Sequence, residues 1–202
     1  MTEKAFNQEY LAEFVVRENL VLNEFDRKRH IKERPNNILI KKQIAGVDFG
    51  FAHPTAIIYL SICYDGNIYA DTEYVAKGIT NTDVIRILKD SDPDEIWPDI
   101  AEPQRIQEMR QSNLKVFDNY KKDVEKQFDN INTLLKQDKL FISKRCLCLI
   151  DEIESYSYLE DKSGRPLETL PKEGDDCLAA LRYALSNYNP INIEYRMKND
   201  IN

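Results

Sequence analysis

The sequence lacks several features that would place it in a common class of protein. No apolar run approaches the roughly 20 residues of a membrane span, and the first residues lack the apolar core of a signal peptide. The four cysteines, Cys63, Cys146, Cys148 and Cys177, follow no metal-ligand spacing. We therefore expect a soluble, intracellular protein whose thiols are reduced and mostly buried.

Glycine is also scarce, with six residues spread through the chain. No GxxxxGK[ST] motif is present, so ATP hydrolysis by a P-loop is not expected. An actin-like or sugar-kinase-like phosphate binder would need a second glycine-rich phosphate loop, and none is found. The net charge of -7 argues against coating of nucleic acid by the whole surface, but it leaves room for a local basic groove beside an acidic metal site.

The length and the apolar content predict one substantial domain with an appendage. The chain has 202 residues, of which 42% are hydrophobic. Residues 6–16 carry apolar side chains at helical spacing, and residues 26–37 are basic, polar and interrupted by proline, which predicts a linker. We expect residues 1–36 to form a helix and linker, and residues 37–202 to form the main domain. A helix folded back onto that domain is the alternative.

The main domain opens with three predicted strands, at residues 44–50, 55–64 and 67–76, joined by tight turns into an antiparallel meander. Helices predicted at 80–89, from 103, at 122–137, at 147–156 and from 175 then alternate with short strands at 95–99, 114–117 and 140–143. Residues 157–172 are polar and predict a loop or loose hairpin. This order predicts an α/β fold with a mixed central sheet flanked by helices.

Acidic side chains stand at the ends of these elements. Asp48 lies in the first strand, Asp99 ends the strand at 95–99, and Asp175 and Asp176 begin the last helix. Carboxylates from separate elements are suitable ligands for Mg²⁺, and two such ions can activate a water against a phosphodiester. Each position also has a structural alternative: hydrogen bonds from a turn for Asp48, a strand end for Asp99, and a helix cap for Asp175 or Asp176.

Four motifs together resemble the nuclease domain of a tailed-phage terminase large subunit, a member of the ribonuclease H-like superfamily. Residues 6–14 are also similar to the segment that closes the ATPase domain of that family. The motifs are Gly46-Val-Asp-Phe-Gly50 with Pro54-Thr-Ala56; Asp99-Ile-Ala-Glu-Pro103 with Ile106 and Arg110; Leu149-Ile-Asp-Glu152 with Tyr156; and Asp175-Asp-Cys-Leu-Ala-Ala-Leu-Arg-Tyr183.

The resemblance implies a ribonuclease H-like endonuclease that cuts concatemeric double-stranded viral DNA during genome packaging, without strong base specificity. It implies two ions of Mg²⁺ or Mn²⁺, held by Asp48, Asp99 and a carboxylate of the last motif. The implied partners are DNA, an ATPase domain that precedes residue 1, the small terminase subunit and the portal, with no membrane. The implied location is the host cytoplasm and not the mature virion.

One position departs from the family pattern. The family's metal-binding aspartate stands just before the Ala-Leu-Arg-Tyr run, and this sequence has Ala179 there. Asp176 lies one turn earlier on the same helix face and is expected to take over the ligand role, with Asp175 beside it. Otherwise the site is weakened, naturally or by a deliberate Asp-to-Ala change. The chain would then be a docking module for DNA or the portal. A resolvase-type relative is a further alternative.

Other candidates have weaker support. His53 follows the first motif and is expected near the phosphate or in an incidental turn. Glu102 and Glu152 are candidates for outer carboxylates, with solvated or capping roles as the alternative, and Arg182 is expected to pair with an acidic neighbour. Five basic residues are candidates for a path along the DNA backbone or for plain solvated surface: Lys121, Lys122, Lys144, Arg145 and Arg165.

Overall fold

The structure, a computed structural model, describes residues 19–118, 123–167, 169–186 and 188. Its centre is a five-stranded sheet in the order β4-β1-β2-β3-β5. The first three strands pair antiparallel, whereas β4 runs parallel to β1 and β5 parallel to β3. The strands are β1 (Ile40–Asp48), β2 (Thr55–Cys63), β3 (Ile68–Ala76), β4 (Glu95–Pro98) and β5 (Leu140–Ile142).

The predicted antiparallel meander is confirmed. The hairpin between β2 and β3 turns at Gly66, whose φ of 81° is accessible to glycine at no steric cost. Asp65 closes the turn by accepting the backbone N–H of Asn67 at 3.0 Å. Strand β2 and the second half of β1, from Ile44, are largely buried because helices cover the sheet there on its two faces, whereas the first half of β1 is largely polar and partly exposed.

Helices form two layers around the sheet. One face packs against α4, α5 and α6 through a large apolar core, and the other packs against α2 and α3 through a smaller one. The mixed α/β class predicted from the sequence is therefore confirmed. The helices are α1 (Arg27–His30), α2 (Asn81–Ser91), α3 (Pro103–Gln111), α4 (Val124–Lys136), α5 (Leu147–Ser155) and α6 (Asp176–Leu185). No helix in the described ranges combines the length and hydrophobicity of a transmembrane span.

The prediction of a linker at residues 26–37 is wrong for the central part of this segment. His30 of α1 is fully buried, and the backbone N–H of Lys32 donates to the carbonyl of Ile142 at 3.0 Å, which ties this segment to the edge strand β5. The charged composition suggested a solvated segment, and Arg27, Lys28, Arg29 and Lys32 are exposed, but the backbone at Ile31 forms a bridge with Ile142 of β5. The predicted helix at 6–16 lies outside the described residues.

The predicted strand at 114–117 is also corrected. Only one bridge forms there, between Ile96 of β4 and Val116. Asn113 has a φ of 62°, so the chain turns sharply just before this segment. The segment runs beside β4 for too short a distance to become a sixth strand.

Helix α6 lies against the middle of the sheet because β1 contains a glycine. A Cβ added to Gly46 would lie 1.9 Å from the carbonyl oxygen of Ala180 and 3.0 Å from the Cβ of Ala184. A side chain at this position would hold the helix away from the strand. The missing side chain therefore allows the close approach that brings the start of α6 to the end of β1.

Candidate active site

Asp48 and Asp99 lie side by side at the ends of two neighbouring parallel strands. Val47 of β1 is paired with Pro98 of β4, and each aspartate follows its paired residue. The backbone N–H of Asp99 donates to the carbonyl of Val47 at 2.9 Å, which fixes the two chain ends together. Parallel strands end at the same edge of a sheet, so this pairing brings together two carboxylates that are 51 positions apart in the sequence.

The start of α6 faces the same edge. Asp48, Asp175, Asp176 and Ala179 line one open cleft of about 390 Å³. Ala179 is 5% exposed and occupies the helix turn between Asp176 and the end of β1. The cleft walls are completed by the loop that follows β1 and the loop that precedes α6.

The carboxylates interact strongly through their charge. Burial, followed by the negative charges of Asp99, Asp176 and Asp175, raises the pKa of Asp48 to about 8. Burial, followed by the charge of Asp175, also raises the pKa of Asp176. Four carboxyl groups, those of Asp48, Asp99, Asp175 and Asp176, therefore converge here. The buried guanidinium of Arg182 is the main opposite charge acting on Asp48. Such a site favours either protons or a cation.

The carboxylate set fits a divalent cation only in part. Asp48 and Asp99 supply the hard oxygen donors that Mg²⁺ and Mn²⁺ prefer. Nevertheless, within the residues that the structure describes, no group of three His, Cys, Asp or Glu side chains lies close enough to hold a metal ion. Ala179, at the position where the resemblance implies a carboxylate, contributes no ligand to this set.

Asp175 has another partner. Its Oδ2 lies 3.5 Å from Nη2 of Arg182, a residue whose side chain is almost fully buried and whose Nη1 donates to Gln127 at 2.7 Å. The expected pairing of Arg182 with an acidic neighbour is thus found in the structure. Because this ion pair holds Asp175, Asp176 is the freer of the two carboxylates for a ligand.

Glu152 and Glu102 have different environments. Glu152, on α5, accepts the backbone N–H groups of Cys177 and Leu178 at 3.2 Å and 2.8 Å, and burial raises its pKa to about 7. It therefore caps α6 from a neighbouring helix. Glu102 precedes α3, makes no capping bond and lies 3.5 Å from Arg105.

The structure does not bring the predicted basic path into the cleft. Through the register of the sheet, the end of β5 is level with Ile44, four residues before Asp48. The end of β5 therefore lies about 13 Å back along the strands, and β5 is three strand positions from β1. Lys144 and Arg145 follow that end by two and three residues and do not line the cleft. Arg165 lies in the loop after α5, outside the cleft lining. Lys121 and Lys122 lie outside the described residues.

Other basic groups do face the cleft. His53 and Lys172 line it, and the electrostatic influence of His53 and Lys77 partly offsets the rise in the pKa of Asp176. Sequence reasoning missed both lysines because neither belongs to a motif. A signal for Lys77 was present, however, since it follows β3, which ends at the same edge of the sheet as β1.

Comparison with known proteins gives the family. Residues 48–187 match the family model described as Terminase RNAseH like domain. The chain belongs to this family. The resemblance drawn from the four motifs is therefore confirmed, and so is the ribonuclease H-like class of the fold.

Two matches to whole proteins support the assignment. The chain is 28% identical over 174 residues to the PBSX phage terminase large subunit of Bacillus subtilis (strain 168), covering 83% of this chain and 40% of that protein. It is 23% identical over 169 residues to the terminase large subunit of Escherichia phage T5, covering 78% of this chain and 39% of that protein. The chain thus spans less than half the length of these relatives.

Solved structures show the same fold. The large terminase of a thermophilic bacteriophage matches with a TM-score of 0.72 at 22% identity, covering 84% of this chain and 45% of that one. The nuclease domain of the large terminase of bacteriophage SPP1, solved with bound Mn, matches with a TM-score of 0.61 at 20% identity, covering 77% of this chain and 95% of that one. The match thus spans nearly all of that nuclease domain.

Proposed function

We propose that the chain is the metal-dependent endodeoxyribonuclease domain of a phage terminase large subunit, which cuts concatemeric double-stranded DNA during packaging. The observation that carries the proposal is the pair of aspartates at the ends of β1 and β4. The adjacent strands hold Asp48 and Asp99 together, and burial followed by the charge of Asp99 raises the pKa of Asp48. A structural role would not require two like charges at one half-buried edge.

In this proposal Asp48 and Asp99 hold Mg²⁺ or Mn²⁺, and Asp176 completes the ligand set across the cleft. A bound divalent ion would lower the pKa of an attacking water and neutralise charge on the phosphodiester. Asp48 must lose its proton before it can bind the ion. The ion pair with Arg182 orients Asp175 away from the ligand role and leaves Asp176 in place.

The basic groups of the cleft suit the backbone of the substrate. His53 and Lys172 line the cleft with Asp176, and Lys77 acts on Asp176 through its charge, so these groups would attract a phosphate toward the metal ligands. Lys144 and Arg145, which are farther along the sheet, would contact DNA only outside the cleavage site. This distribution agrees with recognition of the backbone and with little base specificity.

Ala179 supports a second candidate, a domain of the same family whose cleavage is impaired and which retains a docking role toward DNA or the portal. The observation behind it is that no group of three metal-ligating side chains forms among the described residues. The two candidates differ in a single property, the ability to cut.

Nicking of a supercoiled plasmid with Mn²⁺, with and without EDTA, tests the proposal. We expect EDTA-sensitive nicking that Ala179→Asp raises at least tenfold and that Asp48→Asn abolishes, with Asp129→Asn, an exposed change on α4, as a matched control. Nicking that survives EDTA or Asp48→Asn in a folded protein would refute the assignment. Retention of DNA without cleavage, even in Ala179→Asp, would favour the docking role.

The larger context is part of the proposal. The ATPase domain of the same protein would precede residue 1, residues 1–36 would contain the junction to it, and residues 37–202 would form the nuclease domain. Because His30 is buried against this domain, the junction itself would lie before His30. The small terminase subunit and the portal would be partners in the host cytoplasm, before the virion matures.

A further inference from the structure

Two helices on one face of the sheet have no side-chain cap of their own. The residues that precede α5 and α6, Cys146 and Asp175, make no side-chain hydrogen bond to the helix start. By contrast, α1, α2 and α4 are capped by the residues that precede them: Asp26, Thr80 and Asp123. The free N–H groups of α5 and α6 must therefore find acceptors elsewhere.

Both helices receive an acceptor from an element earlier in the chain. Glu73 of β3 accepts the N–H groups of Cys148 and Leu149 at 2.8 Å and 3.0 Å. Glu152 of α5 accepts those of Cys177 and Leu178 at 3.2 Å and 2.8 Å. In each case one carboxylate accepts hydrogen bonds from two backbone amides, which is a charge-assisted arrangement at the positive end of a helix dipole.

These bonds form a chain of contacts from the sheet to the cleft. Glu73 belongs to β3 of the sheet and accepts hydrogen bonds from the start of α5. Glu152 belongs to α5 and accepts hydrogen bonds from the start of α6. The two amides bound by Glu152 lie between Asp176 and Ala179, so the bonds fix the backbone on which both cleft positions stand. Farther along α6, the contact with Gly46 fixes the distance from β1.

We infer that Glu73 and Glu152 are positioning residues, which together set the orientation of the start of α6 and so the placement of Asp176 opposite Asp48. This inference rests on the proposed function for its link to metal binding. Neither carboxylate is a ligand in this arrangement, since each is occupied by two backbone amides. The sequence motif around Glu152 would then serve the site through the helix it holds.

Two measurements on the 202-residue chain test the inference. Amide hydrogen exchange, followed residue by residue by NMR in metal-free protein, reports on the helix starts. Binding of Mn²⁺, followed by the electron paramagnetic resonance signal of the free ion, reports on the site. The variants are Glu152→Ala, Glu152→Gln and Glu73→Ala. Asp151→Ala, an exposed change on α5, is the matched control.

We expect Glu152→Ala to lower the protection of the Cys177 and Leu178 amides at least tenfold and to weaken Mn²⁺ binding about tenfold, the lower end of the effect of outer-shell changes. Glu152→Gln, which keeps one acceptor oxygen, should be intermediate and should fold if the alanine variant does not. Glu73→Ala should expose the amides at the start of α5 and weaken Mn²⁺ binding by a smaller factor.

The variant Thr80→Ala distinguishes an effect on the site from a general loss of stability. It removes a cap on α2, on the opposite face of the sheet. It should lower the melting temperature and leave Mn²⁺ affinity unchanged. Unaltered amide protection in Glu152→Ala, or Mn²⁺ affinity within twofold of the parent, would overturn the inference. If neither the parent nor Ala179→Asp binds Mn²⁺, the proposed function fails, and amide exchange still decides whether the two glutamates hold the helices.

Discussion

A methyl group added at Gly46 would strike the helix that carries one side of the cleft. The two atoms nearest to the added Cβ are the carbonyl oxygen and carbon of Ala180, at 1.9 Å and 2.8 Å. Both are backbone atoms, so no side-chain rotation can relieve the overlap. Because non-bonded heavy atoms rest about 3.5 Å apart, α6 would have to move by roughly 1.5 Å.

The expected cost of Gly46→Ala follows from this displacement. Overpacking of a core typically costs about 1–3 kcal/mol, and a backbone obstacle places this case near the upper end. The smaller conformational entropy of alanine in the unfolded chain offsets about 0.5 kcal/mol. A net loss of about 2 kcal/mol in a domain of this size lowers the melting temperature by about 4–8 °C.

Thermal unfolding in EDTA measures this loss, and Mn²⁺ binding measures the shift of Asp176 away from Asp48. The double variant with Ala184→Gly serves as a control, because it removes only the 3.0 Å contact and leaves the backbone overlap. It should therefore not restore the melting temperature. A melting temperature within about 1 °C of the parent, with unchanged Mn²⁺ affinity, would refute the role assigned to Gly46.

Three further outcomes are expected. Mn²⁺ should raise the melting temperature of Ala179→Asp more than that of the parent, because a ligand at a free concentration of 100 times Kd adds about 2.7 kcal/mol to the free energy of unfolding. Equal rises would contradict the idea that the site lacks a metal ligand at Ala179. Thr80→Ala should lower the unfolding free energy by about 1 kcal/mol in urea titrations, because its side chain accepts the N–H of Asp83, and an unchanged midpoint would count against the cap. His30 is buried with one ring nitrogen accepting a backbone N–H at 2.9 Å and the other 3.0 Å from a carbonyl, and burial lowers its pKa below 6.5. The unfolded chain therefore takes up this proton at a higher pH than the folded chain, so the contribution of His30 to stability should be lost as the pH drops below about 6.5. Asp48 and Glu152, whose raised pKa values favour the folded state at lower pH, contribute with the opposite sign. The contribution of His30 is therefore the difference in slope between the parent and His30→Gln, and parallel slopes would exclude it.

Local patterns in the sequence were sufficient for most elements. Alternation and turn residues predicted the meander, since Asp65 and Gly66 close a turn whose geometry depends only on those residues. The start of α6 was also predictable, and the structure has it at Asp176. The segment around His30 was mispredicted because charge and proline describe only the side chains, whereas the backbone there pairs with β5, which is more than 100 residues away.

For the candidate site, the sequence by itself determined which chemical groups are present: Asp48, Asp99, Asp176 and the methyl group of Ala179. It did not determine their arrangement, because strand order and register are non-local. Only the tertiary structure decided that β4 lies beside β1, that Arg182 engages Asp175, and that Lys77 and Lys172, not Lys144 and Arg145, stand near the carboxylates. The physical reason is that the properties of the cleft depend on distances between groups that are remote in the chain. Those distances are fixed by the pairing of β1 with β4, by the packing of α6 on Gly46 and by the hydrogen bonds from the start of α6 to Glu152.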